Sequence, residues 1–337
     1  MRIVLESRTF YPSVGGLEMM SRGLAIAWRN AGHQVRVVTV TPLDGNPELE
    51  DIPVDRVSSF AGMMGHVRWA DVFVQSGISL RSLHWPLLLN TPLVIIHHNL
   101  LFGGQEIGLR AVLKRRATHF GANVAVSGPV ADTVPGPVVR IPNTFRPVYD
   151  QPDADDVDRD GLLFVGRLVS VKGADLAIEA LRTLRQRGVD TTLTICGDGP
   201  ERDALERQVS DAGLEEAVIF EGWTNPDELA AHYRTAELLL VPSRYEPFGI
   251  VALEAIASGC PVVAARTGGL PEAVGDCGIL VAPNSLGALV DAVERALHSN
   301  VRRPMKDAMS AHVSRHRIDR IATDYLHLLR LVANRSS

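Results

Sequence analysis

The sequence predicts an α/β chain of two doubly wound domains, each a parallel sheet clothed in helices. Three observations predict it. Short apolar runs alternate with stretches of helical period along most of the chain, as buried parallel strands and their crossover helices do. Glycine-bearing loops follow strand ends in both halves, at Gly15-Gly16 and again at Gly166, Gly197 and Gly268-Gly269, the edge at which open α/β sheets bind ligands. A polar, acidic stretch from Asp153 to Asp160 separates the halves, and 337 residues suffice for two domains of ordinary size. The expected division is 1–148, 149–314, and a C-terminal helical segment, 315–337, that could pack back on the first domain.

Residues 3–5 make the first strand. The loop Phe10-Tyr11-Pro12-Ser13-Val14-Gly15-Gly16-Leu17-Glu18 leads into an amphipathic helix with Met19, Leu24, Ala27 and Trp28 at helical spacing, closed by Gly32. Val35 to Val40 is the next strand. Asp71 to Gln75 and Val94 to Ile96 are further strands, and the second ends at His97-His98-Asn99. Side chains alternate across a strand, so the two histidines face opposite ways. A lone His is more often structural than functional. Gly108 to Phe120 reads as a helix bearing Arg110, Lys114, Arg115 and Arg116. A solvated face explains them; an anionic membrane surface is the sharper alternative. Val124 to Ser127 and Val138 to Ile141 complete the first sheet.

The second domain opens with the strand Leu162 to Val165. Gly166-Arg167-Leu168 and Lys172-Gly173 follow, then a helix from about Ala174 to Arg187. Two cations and a glycine in a strand-to-helix loop suit a diphosphate, or are merely exposed loop cations. Strands follow at Thr192–Cys196 and Val218–Phe220, the latter ending at Gly222-Trp223. A helix at 226–234 and strands 238–241 and 262–265 come next. Helices then run to the C-terminus, the last from His316 to Val332.

Net charge is −5 overall, but residues 1–149 carry 14 Lys and Arg against 10 Asp and Glu, and the remainder 20 against 29. That balance argues against a general nucleic-acid binder and leaves the first half better suited to an anionic partner. Cys196, Cys260 and Cys277 form no CxxC pair and lie beside apolar runs, as buried thiols in a reducing compartment do. The apolar run at Ile3–Leu5 is too short for a signal peptide, and none elsewhere is long enough to span a bilayer, so a cytoplasmic protein is expected. Asp153-Ala154-Asp155 is formally an Asp-x-Asp metal string, but no strand leads into it and a solvated linker explains it. Gly197-Asp198-Gly199 lacks the third glycine and the downstream acid of a dinucleotide fingerprint.

The most informative stretch is Glu246 to Glu254, EPFGIVALE. An apolar strand and a loop precede it, and a nearly wholly apolar helix from about Gly249 to Ser258 holds one carboxylate, Glu254. Burying that group is unfavourable unless something donates hydrogen bonds to it. Glu246 lies eight positions earlier, in front of the helix. Between the two acids are free backbone N–H groups and the positive pole of the helix, which suit a phosphate. Hydroxyls on both sides of a phosphate describe a nucleotide-sugar. The competing reading is a Glu paired with a neighbouring Arg and an exposed loop acid.

These motifs in their order resemble the retaining glycosyltransferases of family four: FYPSVGGLE, the HHN strand end, VAVS, IPN, FVGRL…KG, ICGDGPE, FEGW, VPSRYEPFGIVALEAIASGCPVV and TGGLPEAV. The resemblance implies a GT-B fold, two Rossmann-like doubly wound domains facing across a cleft. It implies a catalytic set of His98, Arg167, Lys172 and Glu246. Glu254 would bind the ribose hydroxyls and Glu246 those of the donor sugar. Backbone amides of Phe248, Gly249 and Ile250 would contact sugar and phosphate. Arg167 and Lys172 would hold the diphosphate, and Gly15 and Gly16 would approach its far side. Gly222 and Trp223 resemble the base-binding loop. His98 resembles the active-site His, with His97 the second choice. Thr144 departs from the family's Gly after Pro-Asn, and residues 43–90, on the acceptor side, match least.

The implied reaction moves a hexose from a UDP- or GDP-sugar to an acceptor hydroxyl with retention, without metal or other cofactor, in envelope glycan, glycolipid or natural-product synthesis. The acceptor would be a lipid-linked glycan, a polysaccharide or a small molecule, with peripheral membrane contact through the basic face. A nucleotide-sugar epimerase on the same fold and a non-catalytic nucleotide-sugar binder are the alternatives.

Overall fold

The structure, a computed structural model, describes residues 1–11, 15–42, 52–56, 60–101, 108–150 and 159–334. The Asp153-Ala154-Asp155 string lies outside them. Strands β1 (Arg2–Ser7), β2 (Gln34–Val38), β3 (Val54–Asp55), β4 (Val72–Ser76), β5 (Leu93–His97), β6 (Ala122–Ala125) and β7 (Val138–Arg140) form one parallel sheet in the order β3-β2-β1-β4-β5-β6-β7. Its central strands carry unbroken apolar runs because helices cover both faces. Helices α1 (Gly16–Asn30), α2 (Phe60–Trp69), α3 (His84–Leu88), α4 (Leu109–Ala117) and α5 (Gly128–Ala131) belong to this unit. In α1, Met20, Leu24, Ala25 and Trp28 face the sheet, in one cluster with Ile3, Leu5 and Val74.

A second parallel sheet holds β8 (Leu162–Val165), β9 (Leu193–Cys196), β10 (Val218–Gly222), β11 (Leu238–Val241), β12 (Val262–Ala265) and β13 (Gly278–Val281), ordered β10-β9-β8-β11-β12-β13. With it go α6 (Ala174–Gln186), α7 (Arg202–Asp211), α8 (Pro226–Thr235), α9 (Ile250–Ala257), α10 (Leu270–Val274), α11 (Leu286–Ala296) and α12 (Ser299–Ser314). Both sheets reverse direction of winding beside their first strand, between β1 and β4 and between β8 and β11. Ligands of doubly wound sheets sit outside the carboxyl ends at such a switch point.

The units are 1–144 with 316–337, and 145–315. The chain therefore enters the second unit after Thr144, four residues before the expected boundary at 148. The cause is Tyr149. Its ring packs edge-on against Tyr233 of α8, centroids 5.5 Å apart, and its carbonyl accepts a hydrogen bond from Ser258. The last helix, α13 (Ile318–Asn334), returns to the first unit: Ile321, Tyr325 and Leu329 join its core, and Tyr325 meets Trp28 edge-on at 6.0 Å. β13 was not expected from the sequence. It is a four-residue edge strand, three residues of which are only half-buried, so it lacks the apolar run of a central strand.

Candidate functional site

The carboxyl edge of the second sheet gathers most of the expected residues at its switch point. β8 delivers Gly166-Arg167-Leu168. Arg167 is exposed, and among the described residues its side chain has no ion-pair or hydrogen-bond partner. Lys172 closes the following turn. Its Nζ donates to Glu246 Oε2 at 2.5 Å, so the cation from the β8 loop and the acid from the β11 loop are brought together. Glu246 is 8% exposed. A carboxylate that dry needs a charged partner, and Lys172 provides it.

Two further contacts fix the β11 loop. Arg244 forks onto both carboxylate oxygens of Asp175 at 2.9 and 2.6 Å and also donates to the Ser170 carbonyl. It thereby ties the Glu246 loop to the start of α6, and the Arg holds the Asp175 carboxyl below its ordinary range. On the other side Gly269 N–H donates to the Glu246 carbonyl at 2.9 Å. Gly268 makes that approach possible: its φ is +52°, and a Cβ there would fall 1.8 Å from the Glu246 carbonyl oxygen. The TGG segment is thus a strap across the back of Glu246.

Gly249 stands immediately before α9 with φ +107°. A left-handed residue turns the chain sharply into the helix, and a side chain there would meet Leu270. Phe248 is buried beneath it. The backbone N–H groups of Gly249 and Ile250 have no hydrogen-bond partner among the described residues. They are the free donors of a helix N-terminus.

Glu254, one turn further on, is 8% exposed. Tyr233 Oη donates to its Oε2 at 3.2 Å. Burial pushes its carboxyl from the ordinary 4.5 up to about 7, while the Arg146 guanidinium and the Tyr233 hydrogen bond pull it back. Arg146 acts through space, with no ion pair between the two closer than 4.0 Å. The neighbouring-Arg reading of this acid is therefore only half met. Trp223, 64% exposed, follows Gly222 at the end of the outer strand β10. It lies two strands from the switch point, where a flat exposed face is free to stack.

In the first unit Gly15 and Gly16 open α1, and the Glu18 carboxylate folds back over Gly15. Pro12, Ser13 and Val14 lie outside the described residues. His97 ends β5 and is buried; its Nε2 bonds Asn123 Oδ1 at 2.9 Å, while Asn123 Nδ2 donates to the carbonyls of Thr118 and Gly121. His98, beyond the strand end, keeps partial exposure and meets Ser76 Oγ through Nε2 at 3.0 Å. Burial and the neighbouring His97 push its pKa down to about 4, so it is neutral at pH 7. Arg115 and Arg116 of α4 are exposed and Lys114 half-buried.

Sequence reasoning missed Arg244, Asp175 and Tyr233. Arg244 lies inside the SRYEPFG stretch and was legible as a loop cation. Tyr233 was not, because nothing in α8 shows that its hydroxyl reaches Glu254.

Residues 146–313 match the family model described as Glycosyl transferases group 1. The second unit is a glycosyl transferases group 1 domain. Over 168 residues, 47% of this chain and 43% of the relative, the chain is 40% identical to a GDP-mannose-dependent alpha-(1-6)-phosphatidylinositol monomannoside mannosyltransferase of Mycolicibacterium smegmatis. Over 138 residues it is 44% identical to a glycogen synthase of Mycobacterium tuberculosis, covering 40% of this chain and 33% of that one. The matches span less than half the length of these two relatives. Anabaena HepE, solved in complex with UDP, superposes with a TM-score of 0.81 at 21% identity, over 98% of this chain and 100% of that one. That likeness establishes two Rossmann-like units of GT-B type. No helix among the described residues is long and apolar enough to cross a membrane.

Proposed function

We propose that this chain transfers a hexosyl group from a nucleoside-diphosphate sugar to an acceptor hydroxyl, with retention of anomeric configuration and without a resident metal. The observation that carries the reading is the second-unit edge. Two dry carboxylates, Glu246 and Glu254, stand on either side of unpartnered N–H groups at the start of α9, with Arg167 free in the adjoining loop. Glu254 would take the ribose hydroxyls, the Gly249 and Ile250 amides the diphosphate, Glu246 the sugar hydroxyls, and Trp223 the base. The names of the relatives, one using GDP-mannose and one crystallised with UDP, support a nucleotide-sugar without choosing the base.

In the proposed step the bond from C1 to the diphosphate oxygen breaks, and its electron pair goes to that oxygen. The acceptor oxygen bonds C1 on the same face, and the acceptor proton passes to the departing phosphate. Arg167, Lys172 and the α9 pole stabilise the charge that develops on the leaving group. Binding of UDP-glucose and GDP-mannose by calorimetry, then turnover against hydroxylated acceptors with and without EDTA, tests the reading. NMR of the product gives the anomeric outcome. Strict metal dependence or an inverted product would overturn it, and product formed without an acceptor would favour the epimerase alternative.

Acceptor access at a membrane is part of the same proposal. Helix α4 exposes Leu109, Val112 and Leu113 beside Lys114, Arg115 and Arg116. Apolar side chains rimmed by cations suit an anionic bilayer surface. Sedimentation with phosphatidylglycerol vesicles checks it, and no binding at low salt would refute it.

A further inference from the structure

A line of three serines crosses the switch point of the first sheet and ends on His98. Ser7, at the end of β1, pairs in register with Ser76 at the end of β4. Ser21 projects from α1 between them. Ser7 Oγ lies 2.7 Å from the Thr9 carbonyl oxygen and 3.1 Å from Ser21 Oγ. Ser21 Oγ lies 2.8 Å from Ser76 Oγ, which lies 3.0 Å from His98 Nε2. All three hydroxyls are buried.

Each serine has one proton to give. A carbonyl only accepts, so the Ser7 proton is committed to Thr9. Ser7 must then accept from Ser21, and Ser21, its proton used, must accept from Ser76. Ser76 has none left for the imidazole and must accept from it. We infer that this relay holds His98 in the Nε2–H tautomer and leaves Nδ1 as a bare acceptor for a ligand hydroxyl, which makes Ser7, Ser21 and Ser76 positioning residues for that atom.

The other facts on His98 agree. Nδ1 has no hydrogen-bond partner among the described residues, and it is not sealed from solvent. The ring is neutral at pH 7, so its two nitrogens differ and the choice between them has consequences. His97 is fixed in the same tautomer by different means: both Asn123 N–H bonds go to carbonyls, so its Oδ1 accepts. His97 Nδ1 likewise has no partner among the described residues, but that ring is buried, whereas His98 is half-buried and can be reached by a ligand. The functional half of the inference rests on the proposed transfer reaction, with His98 as the active-site His that the resemblance implies.

The test is long-range ¹H–¹⁵N correlation NMR of the imidazoles at pH 7, assigned with His98→Gln. The wild-type protein should show His98 as the Nε2–H tautomer. In Ser21→Ala the relay is cut without touching His98. Ser76 then regains a proton to donate, and the Nε2–H population should fall in favour of Nδ1–H. Ser21→Thr restores the hydroxyl and should restore the signal. Turnover should follow, with kcat/KM about tenfold lower in Ser21→Ala, the size of one neutral hydrogen bond, and recovered in Ser21→Thr. A wild-type His98 found as Nδ1–H, or a tautomer unchanged by Ser21→Ala, would overturn the relay. Adding nucleotide-sugar should move the Nδ1 resonance. If the tautomer is as inferred but nucleotide-sugar that demonstrably binds leaves Nδ1 unmoved, the donor-side reading of His98 falls while the relay stands.

Discussion

Donor affinity should depend on pH through Glu254. Its carboxyl has a pKa of about 7 in the free protein, raised mainly by burial. Hydroxyls of a ribose are good donors to a carboxylate and poorer partners for a neutral acid. The affinity of the binding-competent form is then scaled by the fraction ionised. With a pKa of about 7 that fraction is about one in eleven at pH 6 and ten in eleven at pH 8, so Kd should be about tenfold weaker at pH 6, or about 1.4 kcal/mol. The diphosphate of a nucleotide-sugar has no ionisation in that window, and His98, at about 4, does not titrate there either. Calorimetry at pH 6, 7 and 8 reads the slope, and buffers of different ionisation enthalpy read the proton released near pH 7. Glu254→Gln should bind more weakly at pH 8 and show no slope. A flat wild-type profile, or the same slope in Glu254→Gln, would refute the ribose assignment.

The same shift carries a stability consequence whose sign is set by its direction. Between 4.5 and about 7 the folded protein holds a proton on Glu254 that the unfolded chain has lost. The stabilisation is complete below pH 4.5 and disappears as pH rises through 7, leaving about 3 kcal/mol of burial penalty in the ligand-free protein. Glu254→Gln should therefore gain stability relative to wild type between pH 5 and 8, and donor binding should erase that gain. If Glu254 takes the ribose hydroxyls as proposed, function and folding pull this residue in opposite directions, which would account for an acid within an otherwise apolar helix.

Other perturbations follow from the same geometry. Arg167→Ala should lower kcat by about 10²- to 10³-fold, the effect of losing one donor to a developing anion; undiminished turnover would remove it from the leaving-group site. Tyr233→Phe removes the hydrogen bond that lowers the Glu254 pKa, so the midpoint of the affinity profile should move above 7, and an unmoved midpoint would contradict the role. Gly268→Ala places a Cβ against the Glu246 carbonyl at a positive φ, and should reduce stability by about 1–3 kcal/mol in a thermal melt and raise donor KM. Arg244→Ala frees the two loops from one another and should raise donor KM more than it lowers kcat; the reverse pattern would place Arg244 in the chemistry.

Much of this was legible in the chain because charge inside an apolar run is conspicuous. Leu238–Val241 and Val262–Ala265 read as strands since parallel strands are buried on both faces. Glu254 stood out against them, and the structure shows it buried with its pKa raised. β13 and the short helices α3 and α10 were missed because four or five residues carry no period. The Glu246 strap was missed for another reason. Gly268 read only as a loop glycine, and no sequence pattern states that its missing side chain makes room for a carbonyl twenty-two residues earlier. The serine relay lay still further out of reach. Ser7, Ser21, Ser76 and His98 are separated by 14, 55 and 22 positions, and only the β2-β1-β4-β5 order folds them into one line.

The acids at these sheet edges also bear on how the reaction would retain configuration. A double displacement needs a carboxylate free to attack C1. Glu246 is neutralised by Lys172, and Glu254 is held by Tyr233 in a dry pocket. Glu6, at the end of β1, accepts from both Ser82 Oγ and Gln75 Nε2, and burial raises its pKa. Glu246 is ion-paired, and Glu6 and Glu254 have charges disfavoured by their surroundings, which makes each a poor nucleophile. His98, with a pKa of about 4, is as poor a base. Its bare Nδ1 would orient a hydroxyl without removing its proton. In the proposed reaction the strongest base would then be the leaving diphosphate itself, which gains charge as the C1–O bond stretches. Attack on the face that this oxygen vacates would put the acceptor proton within its reach, so same-face substitution would require no further catalytic group.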